Sequence, residues 1–227
     1  MLSLHRIRRH LDDAQPHRLW ADLAQSGLNW PLPLRVRLES APAAAWALAL
    51  RRVCELTHGP TPLAEQLIDR LLHCQQPHGA WCDEAGRDQP LLTALAAAAL
   101  RRRLLQPGTP ADHAEHLAHR HAAALAALGA MQNDRDGLFG DAAVATGSVG
   151  RTPIRAAEGC YILFLLAEDP AALDLLRLLP LRDALEDAAP SFDATLRETH
   201  DMATLLLESQ TTSATSAMPE SAPALAA

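Results

Sequence analysis

The residues of this 227-residue chain that could carry chemistry are few. Glu158 stands between Ala156, Ala157, Gly159 and Cys160 ahead of an apolar run, a setting that buries a carboxyl, raises its proton affinity and suits it to proton transfer. Arg155, three residues earlier, and Arg151 are its nearest ion-pair partners. Asp136 and Asp141, with Asp83 and Asp88, fall in loops, where a carboxylate pair supports hydrolysis and where a lone Asp caps a helix. The loop GDAAVATGSVGRTPIRAAEG sets Gly147, Gly150, Arg151 and Arg155 around a helix start at Thr152 and Pro153. Arg151 and Arg155 are therefore candidate anion ligands beside exposed N–H groups.

In DHAEHLAHRH, helical spacing brings His116 and His119 together near Glu115, with His113 one turn earlier. Ala114, Leu117 and Ala118 alternate with them as on an outer helix, so a solvated face is expected over residues 113–121, and no metal site. Cys54, Cys74, Cys82 and Cys160 form no CxxC pair, which points to reduced thiols rather than a disulfide framework or structural zinc. All 20 basic residues are Arg, which excludes Schiff-base and phosphate-loop lysines. No cofactor is expected.

The elements that must hold these residues are helices. Ala and Leu dominate, Ile occurs only at 7, 68, 154 and 162, and aromatics make up 4% of the chain. Apolar periodicity, bounded by Pro, Gly, Ser and Asp, predicts helices over about 2–13, 16–26, 42–57, 61–75, 90–105, 110–131, 153–167, 170–187 and 191–208. Thr61, Thr109 and Thr152 are N-cap candidates before prolines at helix starts. Residues 1–208 form one all-α domain, and 209–227 read as a disordered Ser, Thr, Ala and Pro tail. A net charge of −7 argues against nucleic acid. Arg6, Arg8 and Arg9 flank a Leu4, Ile7, Leu11 stripe, read as a docking helix ahead of a membrane-surface one. No secretory leader is visible. The stretch 161–181 is interrupted by Glu168, Asp169, Pro170, Asp174 and Arg177, so no transmembrane segment and a cytoplasmic location are expected.

An internal repeat is the most informative pattern. LLHCQQPHGAWCDEAG and LGAMQNDRDGLFGDAA share Leu, Gln, Gly, an aromatic and Asp: Leu71, Gln75, Gly79, Trp81 and Asp83 in the first, Leu128, Gln132, Gly137, Phe139 and Asp141 in the second. The first copy resembles the QxxxGxW repeat of squalene and oxidosqualene cyclases, whose relatives include protein prenyltransferase β-subunits. The second is a degenerate version, and the likeness covers roughly residues 61–168. The resemblance implies repeated helical hairpins in a partial or small α/α toroid. The Gln, Gly and aromatic residues should act as structural braces rather than catalysts.

The chain departs from that family in its chemistry. The string Asp134, Arg135, Asp136, Gly137 departs from the DxDD acid motif of class II cyclases, and eight aromatics are too few to line a carbocation cavity. No spacing supports a zinc set of Cys160, Asp141 and His200. The leading expectation is therefore a non-catalytic toroid protein that binds an apolar or anionic small molecule or a protein partner. The alternatives are a terpenoid cyclase or prenyltransferase-like enzyme acting through Glu158 or the loop aspartates, and a carbohydrate-active α/α toroid.

Overall fold

A computed structural model of the chain describes residues 3–13, 15–24, 32–134, 137–139 and 153–216. Eleven α-helices account for most of these residues: α1 (Leu4–Asp12), α2 (Pro16–Ala24), α3 (Leu32–Glu39), α4 (Pro42–Leu56), α5 (Pro62–His73), α6 (Pro90–Leu104), α7 (Ala111–Met131), α8 (Pro153–Leu166), α9 (Pro170–Leu175), α10 (Leu178–Ala188) and α11 (Ala194–Ser216). The described residues contain no strand, so the all-α expectation holds. No helix among them is long and apolar enough to cross a membrane.

The sequence explains where most helices begin. Proline occupies the first turn of α4, α5, α6 and α9, where its missing N–H removes no bond. Thr61 caps α5 as expected, its hydroxyl accepting from the Ala64 N–H at 3.1 Å. Thr109 does not cap α7. Pro110 takes that position, and the Thr109 hydroxyl instead donates to the Gln106 carbonyl at 3.0 Å and accepts from Arg103.

Packing follows composition. α4 lies on α6, α6 on α8 and α8 on α11, while α5 packs on α4, α7 on α6 and α9 on α7. Ala43, Ala44, Ala45, Ala47 and Ala49 of α4 are buried, as are Ala94, Ala96, Ala97 and Ala99 of α6, and such small side chains let neighbouring helices approach closely. At the N-terminus Ile7 and Leu11 are buried and α1 packs on α2, with Asp22 facing Arg6 at 3.3 Å and His10 at 3.0 Å. That is the docking role read from the sequence.

Three departures stand out. α3 occupies a stretch given no helix, with Leu34 and Leu38 buried one turn apart on its inward face. The helix expected over 170–187 is two, broken at Leu176 and Arg177. α11 runs on to Ser216, so the first residues of the expected disordered tail are helical, while 217–227 lie outside the described residues.

Two glycines set how closely the repeat loops approach the helices beneath them. Gly79 has φ +98°, and a Cβ there would fall 2.2 Å from the Ala123 carbonyl oxygen. Gly137 has φ +67°, and a Cβ would fall 2.8 Å from the Leu181 nitrogen. Gly86, at φ +74°, has open space around it. Gly79→Ala should therefore lower stability by at least about 2 kcal/mol, from left-handed strain plus collision with backbone, and Gly86→Ala by about 1 kcal/mol from strain alone. Urea denaturation of both variants measures the difference; equal losses would leave no role for the close approach.

Candidate functional site

The repeat loops are built as clamps. Gln75 Nε2 donates to the Gly79 carbonyl at 3.0 Å, closing its own turn, and to the Arg120 carbonyl of α7 at 3.1 Å. Gln132 Nε2 donates to the Gly137 carbonyl at 2.9 Å and to the Arg177 carbonyl at 3.4 Å. Each glutamine thus bonds a main-chain carbonyl 45 residues downstream. The first residue of each motif also bridges the aromatic, Gln75 with Trp81 and Gln132 with Phe139. Trp81 is fully buried, its indole N–H donating to the Leu71 carbonyl near the end of α5 at 2.9 Å and its backbone N–H to the Thr93 hydroxyl of α6 at 3.1 Å. These residues join α5, α6 and α7.

The two copies differ where their targets differ. Arg120 lies within the continuous helix α7, its own N–H already used along that helix, and Gln75 Oε1 has no hydrogen-bond partner among the described residues. Arg177 is the N-cap of α10, so its N–H is free of the helix and donates to Gln132 Oε1 at 2.9 Å. Arg177 also reaches back to the turn, where its guanidinium donates to the Asp134 carbonyl at 2.6 Å and pairs with the carboxylate at 3.0 Å.

Two of the residues singled out from the sequence, Arg155 and Glu158, stand one turn apart on α8. Glu158 is buried, at 6% exposure, on α8. Arg155, in the first turn of α8, donates from Nε to the Phe139 carbonyl at 3.0 Å and so ties the second loop to the helix that follows it. Asp136, Asp141 and Arg151, with Gly147, Gly150 and Thr152, lie outside the described residues. Asp83 receives the N–H groups of Ala85 and Arg87, the Arg87 guanidinium and the Gln89 amide, and these bonds, with burial opposing them, hold its carboxyl below the usual range. Asp88 accepts from His78 at 2.9 Å and from the Cys82 thiol at 3.1 Å.

All four cysteines are free. Burial pushes Cys54 up to about 11 and Cys160 up to about 12, and burial with the neighbouring Asp88 pushes Cys82 up to about 11. None of these three is a thiolate at neutral pH. No group of three His, Cys, Asp or Glu residues suited to a metal ion occurs among the described residues.

The histidine-rich segment divides. His116 and His119 are exposed, in keeping with a solvated face, whereas His113 faces Glu65 at 3.3 Å and His121 is buried with Nε2 2.7 Å from Asp169. Asp169, 3% exposed, also receives the Ala171 N–H as N-cap of α9 and lies 3.7 Å from Arg101. Burial alone would raise the Asp169 carboxyl; the His121 bond and charge, then Arg101 and Ala171, outweigh it and hold it below the ordinary range. A neighbouring network buries Arg103 completely, its guanidinium donating to Glu65 at 2.7 Å and to Thr109.

Beside Asp169 is an open cleft of about 80 Å³, lined by Arg51 of α4, Ala98, Arg101 and Arg102 of α6, and Leu105, Leu165 and Glu168. It lies beside the C-terminal half of α4 and the C-terminal end of α6, whereas the first clamp lies at the N-terminus of α6. Sequence reasoning missed it because Arg51 and Arg101 are 50 positions apart and a run such as Arg101, Arg102, Arg103 reads as a solvated helix end. No family model and no curated protein matches the chain.

Since Asp169 is held below its unfolded value of about 4, the stability it contributes is present above that pH and is lost as the pH falls through the folded value. Asp169→Asn should therefore show a shallower loss of stability than wild type between about pH 5 and 3. Chemical denaturation at stepped pH compares the two, and superimposable acid limbs would show that His121 and Arg101 do not hold an ionised carboxylate.

Proposed function

We propose that the chain is a ligand-binding helical-repeat module of reduced α/α-toroid kind, without chemistry of its own. The observation that carries this reading is the recurrence of the clamp: Gln132 repeats the bonds of Gln75 to its own glycine and to a carbonyl 45 residues downstream. A bond pattern that recurs with one offset is what stacked hairpins produce. Asp83, Asp88 and Asp169 are engaged in hydrogen bonds, and the thiols of Cys54, Cys82 and Cys160 are held protonated, which favours binding over catalysis. Four free cysteines support a reducing, cytoplasmic setting. The net charge of −7 favours a small molecule or protein over nucleic acid.

A second reading, an enzyme of the cyclase and prenyltransferase kind, draws its support from the Gln75 to Trp81 motif and from the burial of Glu158 on α8. Incubation with squalene, isoprenyl diphosphates and soluble oligosaccharides, followed by mass spectrometry and by thermal melting, separates the readings. A melting shift without a new product is the expected result. Conversion of any of these compounds, abolished in Glu158→Gln, would replace the binding module with the enzyme.

A further inference from the structure

Three arginines, Arg51, Arg101 and Arg102, converge on this cleft, against the two carboxylates, Asp169 and Glu168, that line it. Arg51 is five residues before the end of α4, so it does not serve the last turn of that helix. Arg101 and Arg102 are in the last turn of α6, whose terminal dipole is equivalent to only about half a charge. Of the two facing carboxylates, Asp169 is already held by His121 and the Ala171 N–H, and Glu168 is exposed at the rim.

The donors themselves are incomplete. Arg51 Nη1 is enclosed and has no hydrogen-bond partner among the described residues, and Arg101 Nε, likewise enclosed and without a hydrogen bond, has the Asp169 carboxylate at 3.7 Å. Enclosed donors of a charged group without acceptors are unfavourable, and an acceptor in the cleft removes that penalty. Burial draws Arg51 below its ordinary value, with Glu55 opposing, Arg102 adding to the effect and Glu168 opposing again. The adjacent Arg102 is a like charge that an anion between the two would screen.

We propose that this cleft binds the phosphate group of a small organic phosphate, held between Arg51 on one helix and Arg101 and Arg102 on the next. Phosphate fits better than a carboxylate because it presents acceptors in several directions and a second negative charge to three guanidinium groups from two helices. About 80 Å³ holds the phosphate alone, so the organic part leaves through the mouth, where Leu105 is 61% exposed and offers apolar contact. No residue of the repeat loops lines the site, and it does not depend on whether the module also has chemistry.

Inorganic phosphate and glycerol 3-phosphate, titrated into the full chain by calorimetry, test the proposal, with acetate as the carboxylate comparison. Both phosphates should bind, acetate should bind more weakly, and Arg102→Ala and Arg51→Gln should each weaken phosphate at least tenfold. Arg102 is exposed, so its variant folds even if the Arg51 variant does not. Sedimentation with vesicles containing phosphatidic acid identifies the source. Co-sedimentation lost in Arg102→Ala assigns the phosphate to a lipid headgroup, and glycerol 3-phosphate binding without co-sedimentation assigns it to a soluble ester. No binding of phosphate by wild type, or equal affinity in wild type and Arg102→Ala, would overturn the site, whatever the turnover assay shows.

Discussion

Burial of α6 around its whole circumference is the constraint on which the rest of the architecture depends. From Pro90 to Leu100 every residue except Ala98 is buried, so α6 cannot lie at the edge of the molecule and must be enclosed by α4, α7 and α8. An enclosed helix also needs both ends closed, because backbone groups left over there have no water to meet. At its start the Thr93 N–H and hydroxyl both donate to the Gln89 carbonyl, and at its end the Arg101 and Arg103 carbonyls accept from the N–H groups of Leu105 and Gln106. Gln106, just beyond, donates to the carbonyls of Cys54 and Thr57 and so closes the end of α4 as well. Ala98, the residue left partly open, borders the arginine cleft.

The clamps make the enclosure a repeated arrangement. A glutamine amide can stand in for a peptide group, donating to two carbonyls in place of a ladder neighbour. The glycine that follows lets the turn lie directly on a later helix, and the aromatic beside it is buried. The second copy shows what the target helix contributes. By breaking between α9 and α10 it supplies a free N–H at Arg177, and the Gln132 carbonyl oxygen gains the partner that its counterpart in the first copy lacks.

Much of this was legible because it is local. Helix starts follow proline and threonine, and the clamp residues occur within a short, recurring string, so the resemblance and the chemistry of the amide, glycine and aromatic mark Gln75, Gly79, Trp81, Gln132, Gly137 and Phe139 as braces. Readings that depended on distant partners failed. Thr109 reads as a cap, but a buried arginine six residues away claims its hydroxyl. The 170–187 stretch reads as continuous, because the glutamine that bonds its break is 45 residues earlier. α3 was hidden by two prolines in a short stretch, although Leu34 and Leu38 keep helical spacing. His113 and His121 look like members of an exposed histidine face until Glu65 and Asp169 are brought to them by other helices. The arginine cleft has no local pattern at all, being made by the register of α4 against α6.

The reach of the clamps also orders events on the ribosome. Gln75 is synthesised 45 residues before the Arg120 carbonyl it holds, and Gln132 the same distance before Arg177. At ordinary translation speeds that interval is roughly 2 to 9 s, long compared with helix formation. During it the nascent chain carries a glutamine whose own turn is already made but whose partner carbonyl on α7 is not. Each clamp can therefore close only after a helix synthesised later has emerged.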